Sequence, residues 1–121
     1  MAFDIPSPFA WDQSFNVHNA KLNEQHVKLF ELINNLDANR ASAEHLKALL
    51  DYVVLHFKTE EEMFEAKGWA GAHDHKATHD KFVQDALALA SVGDNEMHFI
   101  KNWLVHHIKG ADFTYVDVLR D

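Results

Sequence analysis

The sequence predicts an all-α fold: an up-down-up-down four-helix bundle with an extended N-terminal arm. Three observations predict it. The only prolines, Pro6 and Pro8, lie near the N-terminus, so everything after them is free to be helical. Apolar residues recur at helical spacing through four later segments, and no strand-like alternation competes. The segments are joined by short connections, which favour antiparallel neighbours in a bundle.

Residues 1–18 read as the arm, pinned to the body by Trp11 and Phe15. The first helix, 19–38, starts at Asn19, a good N-cap, and aligns Leu22, His26, Leu29, Ile33 and Leu36 on one face. The second, 42–66, is capped by Ser42 and stopped by Lys67 and Gly68. Its stripe is Leu46, Leu49, Val53, His56, Glu60 and Phe64. After the turn "GWAG", a third helix over 72–90 faces His75, His79, Phe82, Ala86 and Leu89 one way. Gly93 breaks the chain and Asp94 can cap the fourth helix, 94–109, with Phe99, Ile100, Trp103, Leu104 and His107 inside and Gly110 at its end. A helix of ~18 residues is about 27 Å long, enough to bury a bundle core.

The 121 residues make one domain, 1–121, able to bury a core without disulfides. Cysteine is absent, which excludes disulfides, zinc ribbons, iron–sulfur clusters and thiol chemistry. Any metal must be held by nitrogen and oxygen. The net charge of -8 argues against nucleic acid or an anionic membrane as partner. The N-terminus carries acids and prolines where a signal peptide needs a basic start and an apolar run, and no stretch reaches membrane-spanning length. The expected address is therefore soluble and cytoplasmic.

Ten histidines are the abnormal count. His56 and Glu60 are four apart, as are His75 and His79, so each pair shares a helix face. Such a pair alone is a weak signal in a chain this rich in histidine. Register is the stronger one. His26, His56, His75, His79, His107 and Glu60 all fall on apolar stripes. One histidine there is ordinarily a hydrogen-bonded core residue. Five are hard to satisfy pairwise, and an unpaired buried polar group costs roughly 1–3 kcal/mol. Imidazole and carboxylate bind first-row metals without thiols. Five imidazoles with two acids exceed one ion's needs and suit a pair of ions sharing the acids.

Asp112, the second acid, lies five residues beyond His107 and would point elsewhere on a continuous helix. A left-handed turn at Gly110 is expected to fold it back. His106 sits off the stripe, and His18, His45, His73 and His98 are expected to face solvent. In the run Glu60, Glu61 and Glu62, only Glu60 shares the face of His56, and the others read as solvated. Phe30, Phe57, Phe64, Phe82, Phe99 and Trp103 pack the core and would wall a metal off from water.

The segments "IPSPFAWDQSF", "NEQHVKLF", "HFKTEEEMF", "HDHKATHDKF" and "WLVHHIKGADF" resemble, in that order, the hemerythrin family, specifically invertebrate hemerythrins and myohemerythrins. The similarity spans nearly the whole chain. It implies two non-haem irons with an oxo or hydroxo bridge. His75, His79 and His107 would hold one iron and His26 and His56 the other, with Glu60 and Asp112 bridging. The second iron would keep an open position for O2, near Leu29, Phe57, Trp103 and Leu104. Two departures stand out: His106 replaces the family's usual asparagine, offering altered hydrogen bonding or another ligand, and the cysteine of many relatives is missing.

The resemblance implies an O2 carrier or store rather than an enzyme. Family members occur as monomers and as larger assemblies, and a monomer is preferred here before a homo-oligomer. The donor set agrees, because neutral imidazoles dominate where ferritin-like sites are rich in carboxylate. The rivals are a di-iron oxidase or peroxidase, a nitric oxide detoxifier, a store of iron or other divalent metal, and a sensor module.

Overall fold

The computed structural model describes residues 3–89 and 91–121. Four helices form an up-down-up-down bundle, with no strand among the described residues. They are α1 (Ala20–Asp37), α2 (Ala43–Lys67), α3 (Ala72–Leu87) and α4 (Asp94–His106). Several starts and stops have a local chemical cause. The Asn19 side chain accepts the Leu22 N–H at 3.1 Å and the Ser42 hydroxyl accepts the His45 N–H at 3.2 Å. Gly68, at φ 60°, ends α2 left-handed, and the Trp69 N–H returns to the Phe64 carbonyl at 3.1 Å.

The expected end of the third helix, Ala90, lies outside the described residues; α3 itself stops at Leu87. Asp94 is not the cap of α4. Gly93 takes that place, its N–H donating to the Glu96 carboxylate at 2.8 Å, while Asp94 pairs with Arg40. His45 is half-buried rather than solvent-facing, because its Nδ1 lies 2.7 Å from the Ser42 hydroxyl.

The larger departure is at the end of α4. Gly110 does not turn left-handed; among the described glycines only Gly68 has positive φ. Instead the chain widens into one π-helical turn, His107–Ala111, in which the Asp112 N–H donates to the His107 carbonyl. A 3₁₀ turn (Asp112–Tyr115) and a short helix, α5 (Val116–Leu119), follow. In an α-helix five residues leave two side chains roughly 140° apart, whereas the i→i+5 ladder of a π-turn stacks them. The inserted width, not a glycine kink, brings Asp112 under His107. A Cβ on Gly110 would meet only a Phe3 ring carbon at 3.8 Å, an ordinary contact. Gly110→Ala is therefore expected to leave metal content unchanged and to raise stability by up to about 1 kcal/mol. Thermal melting and metal analysis of the variant check both.

The arm is held more broadly than Trp11 and Phe15 suggest. Phe9, Phe15 and Val17 are buried, Trp11 only partly, and the Phe9 and Phe15 rings lie 4.5 and 5.0 Å from Phe30. His106 anchors its start. Its Nδ1–H donates to the Asn102 carbonyl at 2.9 Å, leaving Nε2 to accept the Phe3 N–H at 3.2 Å. Both nitrogens are spent, so His106 is not an alternative ligand. The C-terminus closes on the same end as α1, where the Asn19 amide donates to the Leu119 carbonyl at 2.8 Å. No helix among the described residues is long and apolar enough to cross a membrane.

Candidate metal centre

The six residues singled out from the stripes and Asp112 meet in the bundle core: His26 on α1, His56 and Glu60 on α2, His75 and His79 on α3, His107 and Asp112 around the π-turn. Each is buried, five of them at 1% exposure or less. Their donor atoms fall into two overlapping groups, each within 4.8 Å: Glu60, His75, His79, His107 and Asp112, and His26, His56, Glu60 and Asp112. Both groups contain both acids.

The spacings suit cations. Asp112 Oδ1 lies 2.9 Å from His75 Nε2 and 3.1 Å from His107 Nε2, and Asp112 Oδ2 lies 3.1 Å from His26 Nε2. His79 Nε2 lies 3.1 Å from both Glu60 Oε1 and His107 Nε2. Metal–ligand bonds of ~2.1 Å at right angles put neighbouring donors roughly 3.0 Å apart. Yet His26 Nε2, His75 Nε2, Glu60 Oε1 and both Asp112 oxygens are buried without an aligned hydrogen bond. Orphaned polar atoms of this kind are rare in a native core and costly.

Partners outside the cluster fix which nitrogen faces in. His79 Nδ1 is 2.9 Å from Glu61 Oε2, an acceptor, so it carries the proton and Nε2 presents a lone pair. That lone pair faces the Glu60 oxygen, a repulsion that a cation between them removes. His56 Nδ1 lies 2.7 Å from Gln25 Oε1, and the Gln25 amide donates to the Thr59 hydroxyl at 3.2 Å. The Tyr115 O–H donates to Glu60 Oε2 at 2.7 Å and holds that carboxylate in place. Rings brace the imidazoles as well. Phe57 stacks on His79 at 3.8 Å and Trp103 on His107 at 4.4 Å.

Electrostatics favour the ligating forms of His56, His79 and Asp112 and oppose those of Glu60 and His75. Burial pushes His56 well down and His79 to about 4, so both are neutral near pH 7. Burial, then the charge of Asp112, lifts Glu60 to about 7. Burial also acts against Asp112, but His107, His26 and His75 hold it well below the carboxylate range. Burial works against His75 too, and Asp112 outweighs it and carries the imidazole up; that proton has to leave before His75 can ligate. Burial, reinforced by Asp112 and Glu60, keeps the Tyr115 phenol protonated and a donor.

Leu29, Phe57, Trp103 and Leu104 line one apolar cavity of about 10 Å³, with Ile33, Val53 and Ile100 further along the bundle. That is room for no more than about one water-sized molecule. Stripe reading missed Gln25, Glu61 and Tyr115. Glu61 hid in an acidic run, and Gln25 and Tyr115 act across helices, where register carries no signal. His18, His73 and His98 are exposed and outside the cluster.

The sequence profile of the hemerythrin HHE cation binding domain matches residues 17–119. A hemerythrin-like protein of Naegleria gruberi is 63% identical over 119 residues, 98% of this chain and 100% of that protein. A myohemerythrin of Theromyzon tessulatum is 40% identical over 116 residues, 95% and 97% of the two chains. A crystal structure of wild-type hemerythrin superposes with TM-score 0.87 at 33% identity, covering 93% of this chain and 98% of that one.

Proposed function

Because the chain belongs to the hemerythrin family, we propose that it binds O2 reversibly, as a carrier or store, at two irons in the bundle core. His75, His79 and His107 would hold one iron and His26 and His56 the other, with Glu60 and Asp112 shared. The observation that carries this reading is the uneven donor count. One group has five residues and the other four, and the apolar cavity is walled by neighbours of both, with Phe57 and Trp103 stacked on His79 and His107. Leu29 lies one turn beyond His26 on α1, and Phe57 follows His56 on α2. A ferrous pair supplies the electrons that O2 takes up on binding.

The chain's own residues supply the rest. Leu29, Phe57, Trp103 and Leu104 exclude water from the open side. Tyr115 and Glu61 hold Glu60 and His79 in place, and Gln25 holds His56. No acid or base lines the cavity among the described residues, so the protein offers bound O2 no proton donor for turnover. Return of the gas is favoured over its consumption, which argues for a carrier and against an oxidase.

The test is a visible spectrum of the reduced iron protein before air, after air and after degassing. A charge-transfer band that appears with air and vanishes on degassing is expected. Sustained O2 consumption, or no return to the colourless form, would overturn the proposal.

A further inference from the structure

His79 is gripped between two consecutive carboxylates of α2. Glu60 Oε1 stands 3.1 Å from its inner nitrogen and Glu61 Oε2 2.9 Å from its outer one. Phe57 covers the ring face, stacked within 3° of parallel. The side chain of Glu61 is 27% exposed and reaches solvent through two surface grooves, of about 810 and 560 Å³, that it helps to line. Its charge is therefore solvated, while the oxygen that meets His79 is fixed.

The poorer donor group lacks such a partner among the described residues. His56 Nδ1 meets the neutral oxygen of Gln25, and His26 Nδ1 is buried with no partner among those residues. A carboxylate on the outer N–H raises the basicity of a ligating imidazole, and a neutral amide does so less. We propose that Glu61 is the positioning residue for His79: it fixes the inward-facing nitrogen and strengthens that donor, making the three-histidine metal position the electron-richer of the two. The contrast with Gln25 then leaves the weaker donors at the two-histidine position. The redox part of the proposal rests on the di-iron reading; the positioning part does not.

Zinc separates the two parts. Competition titration with a chromophoric chelator is expected to show Glu61→Ala binding zinc about 10–100-fold more weakly than wild type. Glu61→Gln, whose amide oxygen can still accept, should recover most of that loss. Nitrogen NMR of the zinc-free protein should show the His79 proton on Nδ1 in wild type and Glu61→Gln, and a tautomer mixture in Glu61→Ala. In the iron protein, Glu61→Gln should raise the midpoint potential while zinc affinity stays near wild type. Wild-type zinc affinity and an unchanged tautomer in Glu61→Ala would overturn the positioning role. An unchanged potential in Glu61→Gln would overturn the donor role. If Glu61→Ala does not fold, Glu61→Met, which keeps the stem and removes the acceptor, takes its place with the same two outcomes, and none of the zinc or NMR results depends on O2.

Discussion

Asp112→Ala is expected to abolish binding at both metal positions, whereas His26→Ala should cost one. Asp112 belongs to both donor groups, and its two oxygens face different histidines, His26 from Oδ2 and His75 and His107 from Oδ1. Losing an outer-shell partner already costs 10–100-fold in affinity, so losing a shared anion should cost more than about 100-fold at each position. Asp112→Asn keeps the shape and removes the charge, and should fail almost as badly. Metal per chain by mass spectrometry, with zinc titration, reads the result. Two tightly held ions in Asp112→Ala would refute the shared-acid arrangement.

Phe57→Ala should carry the largest stability cost. Phe57 is buried, stacks on His79 and lines the inner cavity, and it also lines the surface groove of about 810 Å³ between α2 and α3. It is the partition between the two spaces. Removing a buried phenylalanine costs about 3–5 kcal/mol, which lowers Tm by roughly 10–20 °C. The groove and the cavity would then join and admit water. Reduced iron protein carrying this change should oxidise irreversibly in air, with little of its spectral band returning on degassing. Phe57→Leu should lose less of both. Denaturant titration and repeated air–degas cycles measure the two effects, and full reversibility in Phe57→Ala would remove the partition role.

The bundle was legible because its signals are local. Asn19, Ser42 and Gly68 act within one turn of their own positions, and a stripe such as Leu22, His26 and Leu29 depends only on the period of the helix. Six of the seven clustered residues were legible for the same reason; Asp112 was not on a stripe, because the π-turn that carries it inside breaks the helical period. What escaped depends on how one helix faces another. Glu61 meets His79 across α2 and α3, Gln25 meets His56 across α1 and α2, and Tyr115 reaches Glu60 from beyond the π-turn. The arm shows the same limit. His106 reads as an off-stripe histidine until Phe3, 103 residues away in sequence, donates to it.

The π-turn means that the core tolerates two spellings of one pairing. On α2, histidine and acid stand four apart, at His56 and Glu60; at the end of α4 they stand five apart, at His107 and Asp112. A single extra residue would ordinarily rotate everything after it out of place. Here the surplus is absorbed within one loop of backbone, and Asp112 and Tyr115 still arrive on the inside. Searches for such centres that insist on a fixed gap between donors would pass over this one. The quantity this segment preserves is the facing direction of its side chains, and the number of residues that achieves it is free to vary.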